Sequence, residues 1–206
     1  MHPHGYILGA SELFTVFFVM VGPLEHLMPF ARTTQNMSVK QIGVLSVKTF
    51  LIIVPVMIVM GLFGKHLLHE WRIPILVLEL TAGVVFFITA LKILVGKSGT
   101  FEEDMPKAEV MDPLTMALKV IINPYACGTL IVLLSISHEI ERTILIIIML
   151  TVILLLDCLA LRYIRVLMGK VGQVIMRILG AVLGIMQASL AATIIYSSLK
   201  MMLAAP

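Results

Sequence analysis

Charge is scarce in this chain: 13% of its 206 residues are charged against 60% hydrophobic, with a mean hydropathy of +1.07. A soluble domain cannot bury that much apolar surface, so the sequence reads as an integral membrane protein whose main surroundings are the lipid bilayer. Cysteine is nearly absent. Cys127 and Cys158 both lie within apolar runs, which rules out a secreted disulfide framework. The opening Met1-His2-Pro3-His4-Gly5 has no Lys or Arg ahead of the first apolar run and no small-residue cleavage pattern after it. That run is therefore expected to be a retained span and not a signal peptide. A nucleophile elbow, a phosphate loop, His-Glu-x-x-His and cofactor fingerprints are all missing, so an enzyme is the weakest class and no cofactor is expected. The formal charge of +3 is small and spread among loops, and nothing in it suggests nucleic acid as a partner.

Long apolar runs are what the chain does have. They fall at about 6–28, 44–64, 74–96, 114–136, 143–163 and 174–202, each near or above the roughly 20 residues a helix needs to cross the bilayer. The stretch between the third and fourth runs holds Lys97, Glu102, Glu103, Asp104, Lys107, Glu109 and Asp112, a composition that suits a solvated linker. It divides the chain into a first three-helix half over 1–96, an acidic linker over 97–112 and a second three-helix half over 113–206. Three spans per half make the second half enter the bilayer from the opposite side, so homologous halves would form an inverted repeat.

Both halves open on a proline set deep in an apolar run, Gly22-Pro23 in the first and Asn123-Pro124 in the second. Proline has no N–H and its ring crowds the carbonyl four residues back, so each predicts a helix break. At membrane depth, backbone freed by a break must be satisfied by protein or by a wet cavity, and paired breaks in matching positions point to a transport site. The third runs of the halves carry Gly83 and the pair Gly180 and Gly184, small residues that would let helices pack closely.

Lys and Arg set the expected orientation. The first, third and fifth loops hold Arg32, Lys40, Lys97, Lys107, Arg162, Arg165 and Lys170, whereas the other loops with the termini hold Lys65, Arg72, Arg142 and Lys200. The positive-inside tendency places both termini outside and the linker in the cytoplasm of a multi-pass protein of the inner, plasma membrane.

Ionisable groups inside apolar runs are costly and so are functional candidates. Glu25 and His26, just after the first break, could relay protons or contact a solute or cation. Asp157, beside Cys158 in the fifth run, could couple ions or protons, or lie buried as a neutral acid. Glu79 is a third carboxylate with a coupling role in view. Its counterpart Arg177 would end up near the opposite face in an inverted topology. Asn123 offers both a donor and an acceptor, for a solute or for the freed carbonyl of its own break. Leu24 with Glu25, and Tyr125 with Ala126, would start half-helices whose N–H groups could hold an anionic group. His2, His4, His66, His69 and His138 lie on the proposed outer side with Glu70, and scattered histidines of this kind leave metal binding undetermined. A dithiol carrier would need a cysteine after each break. Cys127 follows Pro124, but the matching position after Pro23 is His26, which argues against thiol transfer.

Two stretches carry a family likeness. Trp71-Arg72-Ile73-Pro74-Ile75-Leu76-Val77-Leu78-Glu79-Leu80-Thr81-Ala82-Gly83 resembles the approach to the third helix of the MarC-related family. Ile175-Met176-Arg177-Ile178-Leu179-Gly180-Ala181-Val182-Leu183-Gly184-Ile185-Met186-Gln187 resembles its sixth helix. The resemblance implies a six-helix protein of a group with a neutral amino acid transporter branch, and relatives in a wider export superfamily that move amino acids or metal cations. This chain departs from the family pattern in having Gly-Pro first and Asn-Pro second, in Glu25 where a small or polar residue is usual, and in Glu79 where Arg is common.

The expected architecture is an all-α integral membrane protein of six transmembrane helices, two inverted three-helix repeats with broken first helices. The expected function is a small-solute transporter or exporter for neutral amino acids or similar polar metabolites. It would work by alternating access at a site built from Gly22, Pro23, Glu25, His26, Asn123, Pro124 and Tyr125. H+ or Na+ would be the coupling ion, and a homo-oligomer is compatible with this reading. The alternatives are a non-transporting sensor or scaffold using the outer histidines as a metal or pH switch, and a metal-cation exporter.

Overall fold

The structure, a computed structural model, describes residues 8–95, 112–118, 122, 124–137 and 139–204, and all regular structure among them is helical. The elements are α1 (Ala10–Met20), α2 (Pro23–Thr33), α3 (Val39–Glu70), α4 (Ile75–Leu94), α5 (Pro113–Met116), α6 (Pro124–Ile136), α7 (Ile140–Arg162), α8 (Ile164–Leu167) and α9 (Lys170–Ala204). Four stretches are long and apolar enough to cross a membrane: α3, α4, α7 and Arg177–Ala204 of α9. The chain is an integral membrane protein of several apolar helices. Of the acidic linker, only Asp112 lies within the described residues.

The first apolar run is not one helix. It divides at Val21 and Gly22 into α1 and α2, and the fourth run divides likewise into α5 and α6. Helix α4 lies within its own apolar run, whereas α3, α7 and α9 are longer than theirs. Polar end turns extend them, because the Lys and His side chains there can lie along the apolar helix and keep their heads in water. Thus α3 begins at a capping box in which Ser38 N–H donates to Gln41 Oε1 at 2.7 Å and Gln41 N–H donates to Ser38 Oγ at 3.3 Å. It then continues through Lys65, His66 and His69 to Glu70. Asp112 caps α5, and the Thr115 hydroxyl and amide that bond to it hold its carboxyl below the usual carboxylate range.

Contacts between helix ends order the bundle. At one end Arg142 Nη2 donates to Leu8 O at 2.7 Å, and Lys65 Nζ donates to Ser137 O at 2.8 Å and to Thr143 Oγ1 at 3.4 Å. At the other end Arg165 donates to Met37 O, and Arg162 lies beside Gly43. Helices α3 and α7 therefore run antiparallel, with Gly43 near Arg162 and Lys65 near Thr143.

Helices α4 and α9 form the most extensive pair, also antiparallel. A Cβ on Gly83 would lie 2.7 Å from Ile195 Cγ1 and 3.3 Å from Ala191 O, and one on Gly184 would lie 3.1 Å from Leu94 Cδ2. At Gly180 the nearest atom would be 3.7 Å away, an ordinary contact. Gly83→Ala should therefore lower stability by about 1–3 kcal/mol through forced separation of α4 and α9, while Gly180→Ala should change it little. Thermal unfolding in detergent checks the contrast.

The core is built from Leu13, Phe17, Met20, Phe30, Ile53, Phe86, Leu130, Leu134 and Leu150, all nearly inaccessible. Large apolar side chains also point outward along the long helices: Leu51, Val59, Phe63, Ile148, Val152, Val182 and Ile185 are exposed. In water such a surface would be an aggregation hazard; in a bilayer it is the solvated face.

Candidate functional site

Local backbone chemistry builds the first break. Gly22 is extended at φ −82°, ψ −178°, and Pro23 takes the first position of α2, where its missing N–H costs nothing. A Cβ at residue 22 would lie 2.2 Å from Phe18 O, so this close approach of the chain to itself requires glycine. The N-terminus of α2 has no side-chain cap. In the second half α5 ends in a π turn over 117–118, with Ile122 N–H donating to Ala117 O at 3.0 Å, and α6 starts anew at Pro124. Asn123 lies outside the described residues, as do the side chains of Glu25, Pro124 and Tyr125.

The end of α1 packs against α6. Met20, the last residue of α1, meets α6 five residues beyond Pro124, where Thr129 Oγ1 donates to Met20 Sδ at 2.6 Å. One turn of α6 before Ile131, Cys127 Sγ lies 3.9 Å from Met57 Sδ on α3. Both cysteines are buried free thiols.

His26, in the second turn of α2, is 1% exposed, and Asp157 on α7 is 2% exposed. His26 Nδ1 stands 3.3 Å from Asp157 Oδ2, while Asp157 Oδ1 has no hydrogen-bond partner among the described residues. Two residues expected to act separately, 131 positions apart, thus form one acid–base pair between α2 and α7. At about 1.5 Å per residue, Asp157 lies roughly 22 Å along α7 from Arg142. The pair sits closer to the Arg162 end of the bundle than to the Lys65 end.

The remaining candidates are spread. Glu79 is buried in the second turn of α4. The antiparallel register that sets Gly83 against Ala191 and Gly184 against Leu94 puts Glu79 and Arg177 at opposite ends of the α4–α9 pair. Buried Gln187 donates from Nε2 to Phe86 O at 3.1 Å, a cross-link between α9 and α4. His66 and His69 line an open cavity of about 410 Å³ with Lys65, Ser135 and the apolar Leu62, Ile73 and Leu78. His2, His4 and His138 lie outside the described residues. Among those described, no group of three or more His, Cys, Asp or Glu side chains could hold a metal ion.

Some contacts have no sequence signal. The Met20–Thr129 and His26–Asp157 contacts join distant segments, and neither periodicity nor local spacing announces them. Gln187 could have been singled out as a polar residue inside an apolar run, although its partner could not.

Chemically, the arrangement offers a buried acid and a buried base within reach of each other between α2 and α7. No curated protein and no solved structure gives a significant match to this chain. A family model described as MarC family integral membrane protein matches residues 9–203. A match over nearly the whole sequence, on a helical bundle with an apolar outer face, means that the chain belongs to the MarC family of integral membrane proteins.

Proposed function

We propose that this protein is a small-solute transporter of six spans in two inverted halves, moving neutral amino acids or similar polar metabolites through a site at the paired helix breaks. The observation that carries this reading is the contact of Met20 with Thr129, which brings the end of α1, beside the first interruption, against the helix that follows the second. Interrupted helices free main-chain N–H and C=O groups at a depth where lipid cannot satisfy them, and such groups suit a polar solute. Membership of a transporter-like family points the same way.

The repeat has support in spacing. Helices α2 and α6 begin at Pro23 and Pro124, 101 residues apart, and the helices that follow them begin at Val39 and Ile140, again 101 residues apart. In this reading the halves rock against one another around the breaks, with both termini outside and the acidic linker cytoplasmic. The neutral amino acid preference comes from the family resemblance alone.

Flux of radiolabelled neutral amino acids into proteoliposomes tests the proposal. Uptake above protein-free vesicles is expected, and Asn123→Ala should reduce it at least about tenfold by removing a polar group at the second break. Vesicles that move no tested solute, from protein shown to be folded by thermal melting, would count against transport.

A further inference from the structure

We propose that the cleft between α3 and α4, at the Lys65 end of the bundle, binds an anionic phospholipid, with the phosphate held by Lys65, His66 and His69 and an acyl chain laid against Leu62 and Leu78. The site is separate from the helix breaks and needs no step of the transporter reading above.

The cleft exists because two helices joined by a short turn lean apart. Helix α3 packs on α6 and α7, whereas α4 packs on α9 and α6, and Ser135 of α6 lines the wedge left between them. The turn itself is pinned. Trp71 N–H donates to Leu67 O at 3.1 Å, and Arg72 N–H donates to His69 O at 3.0 Å. Arg72 takes φ 50°, a left-handed conformation that residues with a side chain seldom adopt. This sharp reversal brings Ile73 and Ile75 into the same cavity as His69.

The walls change character with depth. Helix α3 runs outward to Glu70 and α4 runs inward from Ile75, so Leu62 and Leu78 lie at the deep end, and His69 and Ile73 at the shallow end. Positions 62, 65, 66 and 69 share one helical face and span roughly 10 Å along the axis. Over that distance the α3 wall passes from aliphatic to basic. No Asp or Glu is among the described residues that line the cavity; Glu70, and Glu139 and Glu141 at the start of α7, are exposed. Lys65 gives two of its three N–H donors to Ser137 O and Thr143 Oγ1, which fixes the ammonium and leaves one donor for a ligand. His66 and His69 add ring N–H donors from exposed positions.

An apolar floor under a basic rim suits an amphiphile in the bilayer better than a free anion in water. Leu62 is 43% exposed, so the cleft opens sideways, and exposed Val59 continues the apolar path one turn deeper on α3. Trp71, exposed in the turn, has the amphipathic ring that settles at headgroup level. The cavity of about 410 Å³ falls within the range of ligand sites, roughly 300–1,000 Å³.

Trp71 is the chain's one tryptophan, so its fluorescence reports from the rim of the cleft. The full chain is reconstituted in phosphatidylcholine vesicles containing a small fraction of either phosphatidylglycerol or phosphatidylcholine with brominated acyl chains, which quench a nearby indole. The brominated phosphatidylglycerol should show an apparent affinity about fivefold higher, the preference that one lysine beside an anionic headgroup supplies. Lys65→Gln should abolish the preference and Lys65→Arg should keep it. Lys65 also ties α3 to the start of α7, so a variant at exposed positions is tested alongside. His66→Leu combined with His69→Leu should lower the preference about twofold or more by removing two donors. Equal quenching by the two lipids would overturn the site, as would a preference unchanged in the double histidine variant. Loss of the preference on adding millimolar inorganic phosphate would make this a site for soluble anions and overturn the lipid assignment. Solute flux plays no part in the readout, so failure of transport leaves the lipid site standing, and failure of the lipid site leaves transport untouched.

Discussion

Gly22→Ala should be among the most damaging single-atom additions to this protein, lowering stability by roughly 2–4 kcal/mol and abolishing the proposed transport. The added methyl would lie 2.2 Å from Phe18 O and 2.9 Å from Phe18 C, both of them backbone atoms that cannot swing aside. Relief requires either unwinding the last turn of α1 or rotating α2 about Pro23. Both movements shift Met20 relative to Thr129 and His26 relative to Asp157. Gly128→Ala is the matching control, because a Cβ there meets nothing within 4 Å and helix propensity favours alanine by up to about 1 kcal/mol. Thermal melts of the two variants in the same detergent decide the matter. A Gly22→Ala protein as stable as wild type would mean that the break does not depend on glycine.

The second large effect is a coupling. His26→Leu and Asp157→Leu should each destabilise by about 1–3 kcal/mol, because each leaves a buried polar partner without its hydrogen bond. The double variant should lose clearly less than the sum of the two, with a coupling energy of about 1–3 kcal/mol, since removing both groups removes the unpaired remainder as well. Chemical or thermal unfolding of the four proteins gives the cycle. Strict additivity would show that the 3.3 Å approach between Nδ1 and Oδ2 carries no interaction.

Much of this architecture was legible in the chain because membrane helices write themselves as apolar runs, and because a proline preceded by glycine breaks a helix for local reasons. Proline alone is not enough. Pro55 stands inside α3, which continues unbroken from Val39 to Glu70. The preceding residue separates the two cases: Gly22 takes an extended ψ while Val54 remains helical. Helix ends were less legible, since polar turns at Lys40, Lys65 and His69 continue helices whose apolar run has stopped. Gly83 and Gly184 do sit at tight helix contacts, whereas Gly180 has room to spare, and a small residue in a sequence does not reveal which face of its helix is crowded.

The site was legible only as single residues. His26 and Asp157 were visible as ionisable groups in the wrong medium, but their partnership is a property of how α2 and α7 cross. Glu79 and Arg177, attractive as a pair by position, are separated by about 30 Å of helix because α4 and α9 run antiparallel. Glu25, Asn123 and Tyr125 keep the standing their chemistry gives them, as polar groups next to a break.

The most direct test asks whether the end of α1 meets α6. In protein carrying Cys127→Ala and Cys158→Ala, cysteines introduced by Met20→Cys and Thr129→Cys are treated with a short reducible thiol cross-linker, and the linker over 97–111 is then cut at an inserted protease site. The two fragments should stay joined until reduction, as they should for a Lys65→Cys and Thr143→Cys control pair. Fragments that separate while the control pair remains joined would contradict the contact of α1 with α6 and, with it, the site proposed there.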